Sequence, residues 1–114
     1  QGGSNIIKLR GRSSFQSPAY NAVKMIEAAM GGEKFTLPAG CYVSCDKCGF
    51  KNVMMAMPTT IDKTGVHFTE PTGTEEEMAS LKQSYEHLCK MRDEIVELGI
   101  VPPVAEWTKM NPNL

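Results

Sequence analysis

"CYVSCDKCGF", residues 41–50, holds three of the chain's four cysteines, and its reading decides how the middle of the chain folds. Cys45 and Cys48 form a Cys-x-x-Cys pair followed by Gly49 and the aromatic Phe50, which is how many zinc knuckles begin. Three readings compete: a metal site, a redox dithiol, and a turn between two strands. A structural zinc site takes four ligands, usually from two such knuckles, and this sequence has a single one. The other candidate ligands are Cys41, His67, His87 and Cys89. Cys41 competes with Cys45 for the same corner, and His87 and Cys89, two apart on a helical stretch, face different directions. A thioredoxin-like pair sits at the start of a helix, whose dipole lowers the thiol pKa. Here the pair follows strand residues and precedes Gly49. The plainest reading is a turn, with Asp46, Lys47 and Gly49 as turn formers.

The flanks support that turn. "KFTLPAGCYV", residues 34–43, carries the strand formers Phe35, Leu37, Tyr42 and Val43, with Pro38 arguing for an edge or a bulge. "FKNVMMAMPTTID", residues 50–62, reads as one strand in which Val53, Met55 and Met57 alternate on one face. "KTG", residues 63–65, is a short turn into a third strand, "VHFTE". Short loops between strands favour antiparallel pairing. His67 falls among exposed polar residues of this last strand, and His87 on the polar flank of a helix.

Helices flank the strands. "SPAYNAVKMIEAAMGG", residues 17–32, places Ser17 as N-cap, Pro18 in the first helical position and Gly31 at the C-terminal end. Its apolar face is Ala19, Val23, Ile26 and Met30, and Ala22 and Ala29 make it smooth enough for close helix packing. Further on, Thr74 and Glu77 form a capping box, with Glu75, Glu76 and Glu77 at the positive end of the dipole. Met78, Leu81, Tyr85, Leu88 and Ile95 make the apolar stripe of this helix, Gly99 ends it, and Pro102 and Pro103 prevent its resumption. The tail, residues 99–114, is expected to be extended and pinned by Trp107. The fold class is α+β, with antiparallel strands packed on helices.

The whole chain, 114 residues with formal net charge −1, is one domain's worth of sequence. Its charge balance points to neither nucleic acid nor an anionic membrane surface. No apolar run approaches the ~20 residues that cross a bilayer. The start, "QGGSNIIKLRGR", lacks the apolar centre of a signal peptide. It reads either as a processed terminus or as a longer protein cut inside a helix. Four cysteines do not reach the density of a disulfide scaffold, which suits a reducing, cytoplasmic setting. No nucleophile–base pair, paired carboxylates or Gly-rich phosphate loop stands out. The segment with most to offer a ligand is "RGRSSFQSPA", residues 10–19, a Gly/Ser loop running into a helix N-terminus beside Arg10 and Arg12.

Taken in order, "GGSNIIKLRGRSSFQSPAYNAVKMIEAAM", "FTLPAGCYV", "GFKNVMMAMPTTIDKTGV" and "TEEEMASLKQSYEHL" resemble the C-terminal part of the NAD-dependent lactate/malate dehydrogenases, and bacterial malate dehydrogenases in particular. The resemblance runs through residues 1–98 and leaves the tail 99–114 unexplained. It places the cysteines where the family carries a strand, a turn and the next strand, with no metal. It implies an oxidoreductase moving a hydride between NAD and malate or oxaloacetate in the tricarboxylic acid cycle. The Rossmann half, the catalytic His with its Asp, and the carboxylate-gripping Arg residues would all lie upstream, so no catalytic residue is expected here. By resemblance Ser13 and Ser14 are the substrate-binding residues and Ser17 approaches the cofactor. Phe15-Gln16 stands where the bacterial pattern often has two aromatics. Partners implied are the upstream half of the same protein and further copies of itself, and the isolated chain is expected to be inactive. The rival reading is a stand-alone zinc-binding interaction module built on Cys45 and Cys48.

Overall fold

Alternating apolar and polar side chains dictate the central hairpin. In the computed structural model, which describes residues 2–114, β1 (Ala39–Cys45) pairs antiparallel with β2 (Phe50–Met57), matching Ala39 with Met57, Cys41 with Met55 and Val43 with Val53. One face is buried: Ala39, Cys41 and Val43 from β1, and Val53, Met55 and Met57 from β2. The predicted alternation of Val53, Met55 and Met57 is therefore correct.

The pairing then slips. Val43 faces Val53, but Cys45 faces Phe50, so β2 carries one residue more than β1. The extra residue is absorbed at Asn52, whose φ of 55° lies in the left-handed region. A bulge of this kind resets which side chains face inward. Phe50 and Val53, three apart, are consequently both buried, although a regular strand would send them to opposite faces. Asn tolerates the left-handed conformation better than most residues, and this Asn is also clamped. Tyr42 donates its hydroxyl to Asn52 Oδ1 at 2.6 Å, and the Arg92 guanidinium donates to the carbonyls of Asn52 at 2.9 Å and Lys51 at 3.3 Å. The Lys51 amide donates to Tyr85 Oη at 3.2 Å.

Arg92 and Tyr85 belong to α3 (Glu75–Glu97), which opens on the predicted capping box: Thr74 Oγ1 accepts from the Glu77 amide, and Glu77 accepts from the Thr74 amide. Leu81, Tyr85 and Leu88 pack on the hairpin's buried face, and the Tyr85 ring meets Phe50 with centroids 4.8 Å apart. Met91 and Ile95 lie outside this contact and are exposed. Leu37–Thr59 and Phe68–Leu114 form one compact unit containing these elements. It also contains α4 (Val104–Met110). The tail is thus not extended throughout. Pro103 suits the residue just before a helix, and Trp107 within it donates Nε1–H to the Pro102 carbonyl at 2.8 Å and packs against Tyr42.

The second unit joins the stretch up to Thr36 with Thr60–His67. It contains α1 (Gly2–Arg10) and α2 (Gln16–Ala29). The predicted long second strand is broken at Pro58, leaving β3 (Thr59–Asp62), which turns through residues 63 and 64 into β4 (Gly65–Phe68). Two two-stranded sheets replace the single three-stranded one expected. Phe35, predicted to start the first strand, makes instead one antiparallel bridge with Ile61. Proline at 58 has no amide to donate, so a continuous ladder through it is unavailable.

Asn52→Ala should lower unfolding stability by about 1–2 kcal/mol, because an alanine pays the left-handed penalty and loses the Tyr42 bond. Asn52→Gly should cost less, since glycine adopts that backbone freely. Urea denaturation of both variants checks the order; an equal loss would assign the whole effect to the Tyr42 hydrogen bond.

Candidate functional site

The loop singled out in the sequence joins α1 to α2. Gly11, at φ 69°, closes α1 with its amide on the Ile7 carbonyl at 2.8 Å. Residues 11–15 carry no regular structure, and α2 begins at Gln16. The N-cap is Phe15, which supplies no side-chain hydrogen bond. Ser17, expected as the cap, is the second residue of the helix, and Pro18 the third. Proline is acceptable there because first-turn amides have no intrahelical partner to lose. The first intrahelical bond runs from Ala19 to the Phe15 carbonyl at 3.0 Å. The amides of Gln16 and Ser17 therefore precede the helix's own ladder.

Ser13 and Ser17 are exposed and Ser14 is half-buried. All three lie within five residues along the chain, on the loop and the first turn it leads into. Arg12 places its guanidinium over the Phe15 ring, 5.6 Å from the centroid, which positions positive charge at the loop's centre. Hydroxyls, early helix amides and a cation together suit a polar or anionic ligand. They provide no general base and no nucleophile–base pair.

Downstream, α2 leaves its apolar stripe uncovered. Val23 is 62 % exposed, Ile26 59 % and Met30 84 %, while Ala28, outside the stripe, is the helix's buried residue. The expected smooth face is thus present but has no covering element among the described residues. The helix ends at Ala29 with Met30 as C-cap, Gly31 follows at φ 94°, and the Gly32 amide reaches back to the Glu27 carbonyl at 2.9 Å. A Cβ on Gly32 would come within 2.9 Å of that same carbonyl oxygen, so glycine is required there.

A polar cluster sits on the β3–β4 turn and includes His67, which the sequence shows only as an exposed strand residue. Asp62 accepts from the Thr64 amide at 2.8 Å and from its hydroxyl, and the Thr64 hydroxyl contacts His67 Nε2 at 2.8 Å. Lys34 lies 3.8 Å from the same carboxylate. The Asp-x-Thr spacing was the available signal: an Asp side chain that bonds the backbone two residues on is a standard turn device. A hollow of ≈ 330 Å³ lined by Gly32, Lys34, Asp62 and Thr64 adjoins it.

Cys45 ends β1 and Cys48 lies in the β1–β2 turn, residues 46–49, in keeping with the turn reading. Cys41 is buried in the hairpin core with Sγ 3.8 Å from the Met55 carbonyl. Among the described residues, no group of three His, Cys, Asp or Glu side chains converges as metal ligands would. The zinc-module reading has no support in this geometry.

Comparison with known proteins accounts for the arrangement. The family model of the lactate/malate dehydrogenase alpha/beta C-terminal domain matches residues 1–98. The chain belongs to this family. Among its relatives are the malate dehydrogenases of Bacillus israeli and Geobacillus kaustophilus (strain HTA426), each 33% identical over 88 residues, covering 75% of this chain and 28% of the relative. The malate dehydrogenase of Sorangium cellulosum (strain So ce56) is 32% identical over 85 residues, covering 74% of this chain and 27% of the relative. The chain thus spans a little over a quarter of the length of these relatives. The α+β fold class and the family resemblance stated from sequence are both correct. Residues 99–114, including α4, lie beyond the family match.

The turn cluster has a definite pH signature. Hydrogen bonds from the Thr64 side chain, and next from its amide, hold the Asp62 carboxyl below its ordinary value. A depressed carboxyl stabilises the fold fully above the ordinary aspartate range, about pH 4, and that contribution vanishes as pH falls through the lower folded value. Asp62→Asn should therefore differ in stability from the parent chain at pH 7, with the gap closing below about pH 4. Urea midpoints of the two chains across that range test it; a gap independent of pH would remove the carboxylate's role.

Proposed function

We propose that this chain is the C-terminal portion of the substrate domain of an NAD-dependent malate dehydrogenase, interconverting malate and oxaloacetate in the cytoplasm. The observation that carries the reading is the family match over residues 1–98, which takes in the loop and α3, together with the similarity to malate dehydrogenases of several bacteria. An upstream Rossmann half of the same protein would hold NAD, whose nicotinamide supplies the hydride acceptor when bound. The general acid–base and the carboxylate clamp would also come from upstream.

In this reading the α1–α2 loop closes one side of the substrate space. Ser13 and Ser14 offer hydroxyls to the substrate or its ordered water, and Ser17, on the first turn of α2, faces the nicotinamide end. What supports this is the chemistry of the loop: accessible hydroxyls, two early helix amides and the Arg12 guanidinium. The loop contains no phosphate-cradling glycine motif, which fits a role toward the substrate end more than toward the cofactor's pyrophosphate.

The isolated chain should show no malate or lactate dehydrogenase activity. In the full-length enzyme, Ser13→Ala should lower kcat/KM about tenfold, the equivalent of one neutral hydrogen bond at about 1–2 kcal/mol. Ser13→Tyr should cost more by crowding the site, while NAD affinity changes little. Wild-type kinetics in both variants would remove the loop from the site and leave the family membership untouched.

The uncovered stripe of α2 supports self-association of the enzyme, since exposed contiguous apolar faces mark interaction sites. Val23→Glu combined with Ile26→Glu should shift the full-length enzyme toward monomer in sedimentation velocity at micromolar concentration. An unchanged sedimentation coefficient would place the interface elsewhere.

A further inference from the structure

Cys45 and Cys48 have no role in the proposed dehydrogenase reaction, yet the turn between them brings them together. Cys45 closes β1, and the turn folds back so that the Gly49 amide donates to the Cys45 carbonyl at 3.1 Å. The Cys48 amide donates to Cys45 Sγ at 3.3 Å, and Cys48 Sγ lies 3.8 Å from the Cys45 carbonyl. Residues three apart across a hydrogen-bonded turn have Cα atoms under about 7 Å apart, within reach of the span a disulfide bridges. Both thiols are free and half-exposed, and Cys48 lines a groove of ≈ 570 Å³ with Gly49, Phe50, Met78 and Tyr85. Cys41, the nearest other thiol in sequence, is buried.

We propose that Cys45 and Cys48 are a reversible dithiol–disulfide modification site on the β1–β2 turn, oxidised by small-molecule disulfides of the glutathione class. Cys45 is the attacking thiol. Its sulfur receives the Cys48 amide, so a thiolate there is stabilised by a backbone dipole. This is the help that a thioredoxin-like pair draws from a helix N-terminus. The Cys48 side chain, then its amide, hold the Cys45 thiol below its ordinary value, whereas burial, then Cys45 itself, push Cys48 up.

The exchange balances in two steps. The Cys45 thiolate attacks one sulfur of the small disulfide, forming a mixed disulfide and expelling one small thiolate. Cys48 loses its proton to solvent and attacks the Cys45 sulfur, closing the protein disulfide and expelling the second small thiolate. Both leaving thiolates take up protons. Two protein thiols are oxidised and one small disulfide is reduced to two thiols.

The test is to equilibrate the 114-residue chain with mixtures of reduced and oxidised glutathione, folded and in urea, then alkylate and analyse by mass spectrometry. The folded chain is expected to lose two hydrogens, with the link mapped to the peptide containing Cys45 and Cys48. At a fixed glutathione ratio its disulfide equilibrium constant should exceed that of the urea-unfolded chain by about tenfold or more. Cys48→Ser should accumulate a glutathione adduct on Cys45, and Cys45→Ser should acquire an adduct on Cys48 more slowly. The proposal is overturned by equal oxidation of folded and unfolded chains, by a link to another cysteine, or by adducts forming equally fast on the two variants.

Discussion

The left-handed backbone at Asn52 is the constraint on which the larger unit depends. Without it β2 would present Phe50 and Val53 to opposite faces, and one of them would leave the core. With it, both are buried with Val43, Met55 and Met57. Burial of side chains of this size is worth roughly 1.5–3 kcal/mol each relative to exposure, more than the about 1–2 kcal/mol that a left-handed residue costs. The surroundings then hold the kink. Tyr42 takes the Asn52 side chain and Arg92 takes its carbonyl. Hairpin and α3 are consequently tied by hydrogen bonds as well as by apolar packing. Trp107 extends the chain of contacts to α4 through the Tyr42 ring.

The polar face of this arrangement is economical. Arg92 sits against the hairpin with its side chain 19 % exposed, and its two carbonyl partners at Lys51 and Asn52 would otherwise be left weakly satisfied by the bulge. Bulges break a ladder, and the freed backbone groups need partners. Here α3 supplies them: a guanidinium for the carbonyls and the Tyr85 hydroxyl for the Lys51 amide.

The loop, α2 and the Asp62 turn belong to the other unit, which has a thinner core. Its described buried residues are Ala28, Phe35 and Ile61. This unit carries both the uncovered apolar stripe of α2 and the loop with accessible hydroxyls. The hydroxyl-rich loop and the apolar stripe lie on the same short run of sequence.

Local rules sufficed for much of this protein. The capping box at Thr74 and Glu77, the stop at Gly99, the Met55/Met57 alternation and the turn after Cys45 depend only on neighbours in sequence, and each was legible there. The order of motifs was enough to identify the family. What needed tertiary structure were the non-local effects. Nothing adjacent to Asn52 announces a left-handed residue; Tyr42 and Arg92, ten and forty positions away, hold it there. The N-cap of α2 moved from Ser17 to Phe15, and its first residue from Pro18 to Gln16, because backbone geometry, not side-chain capping, set its first turn. The tail coiled into α4 where its prolines suggested extension. The Cys45–Cys48 spacing was plain in the sequence, but whether an amide would point at a sulfur is a property of the turn's conformation, which spacing alone does not fix.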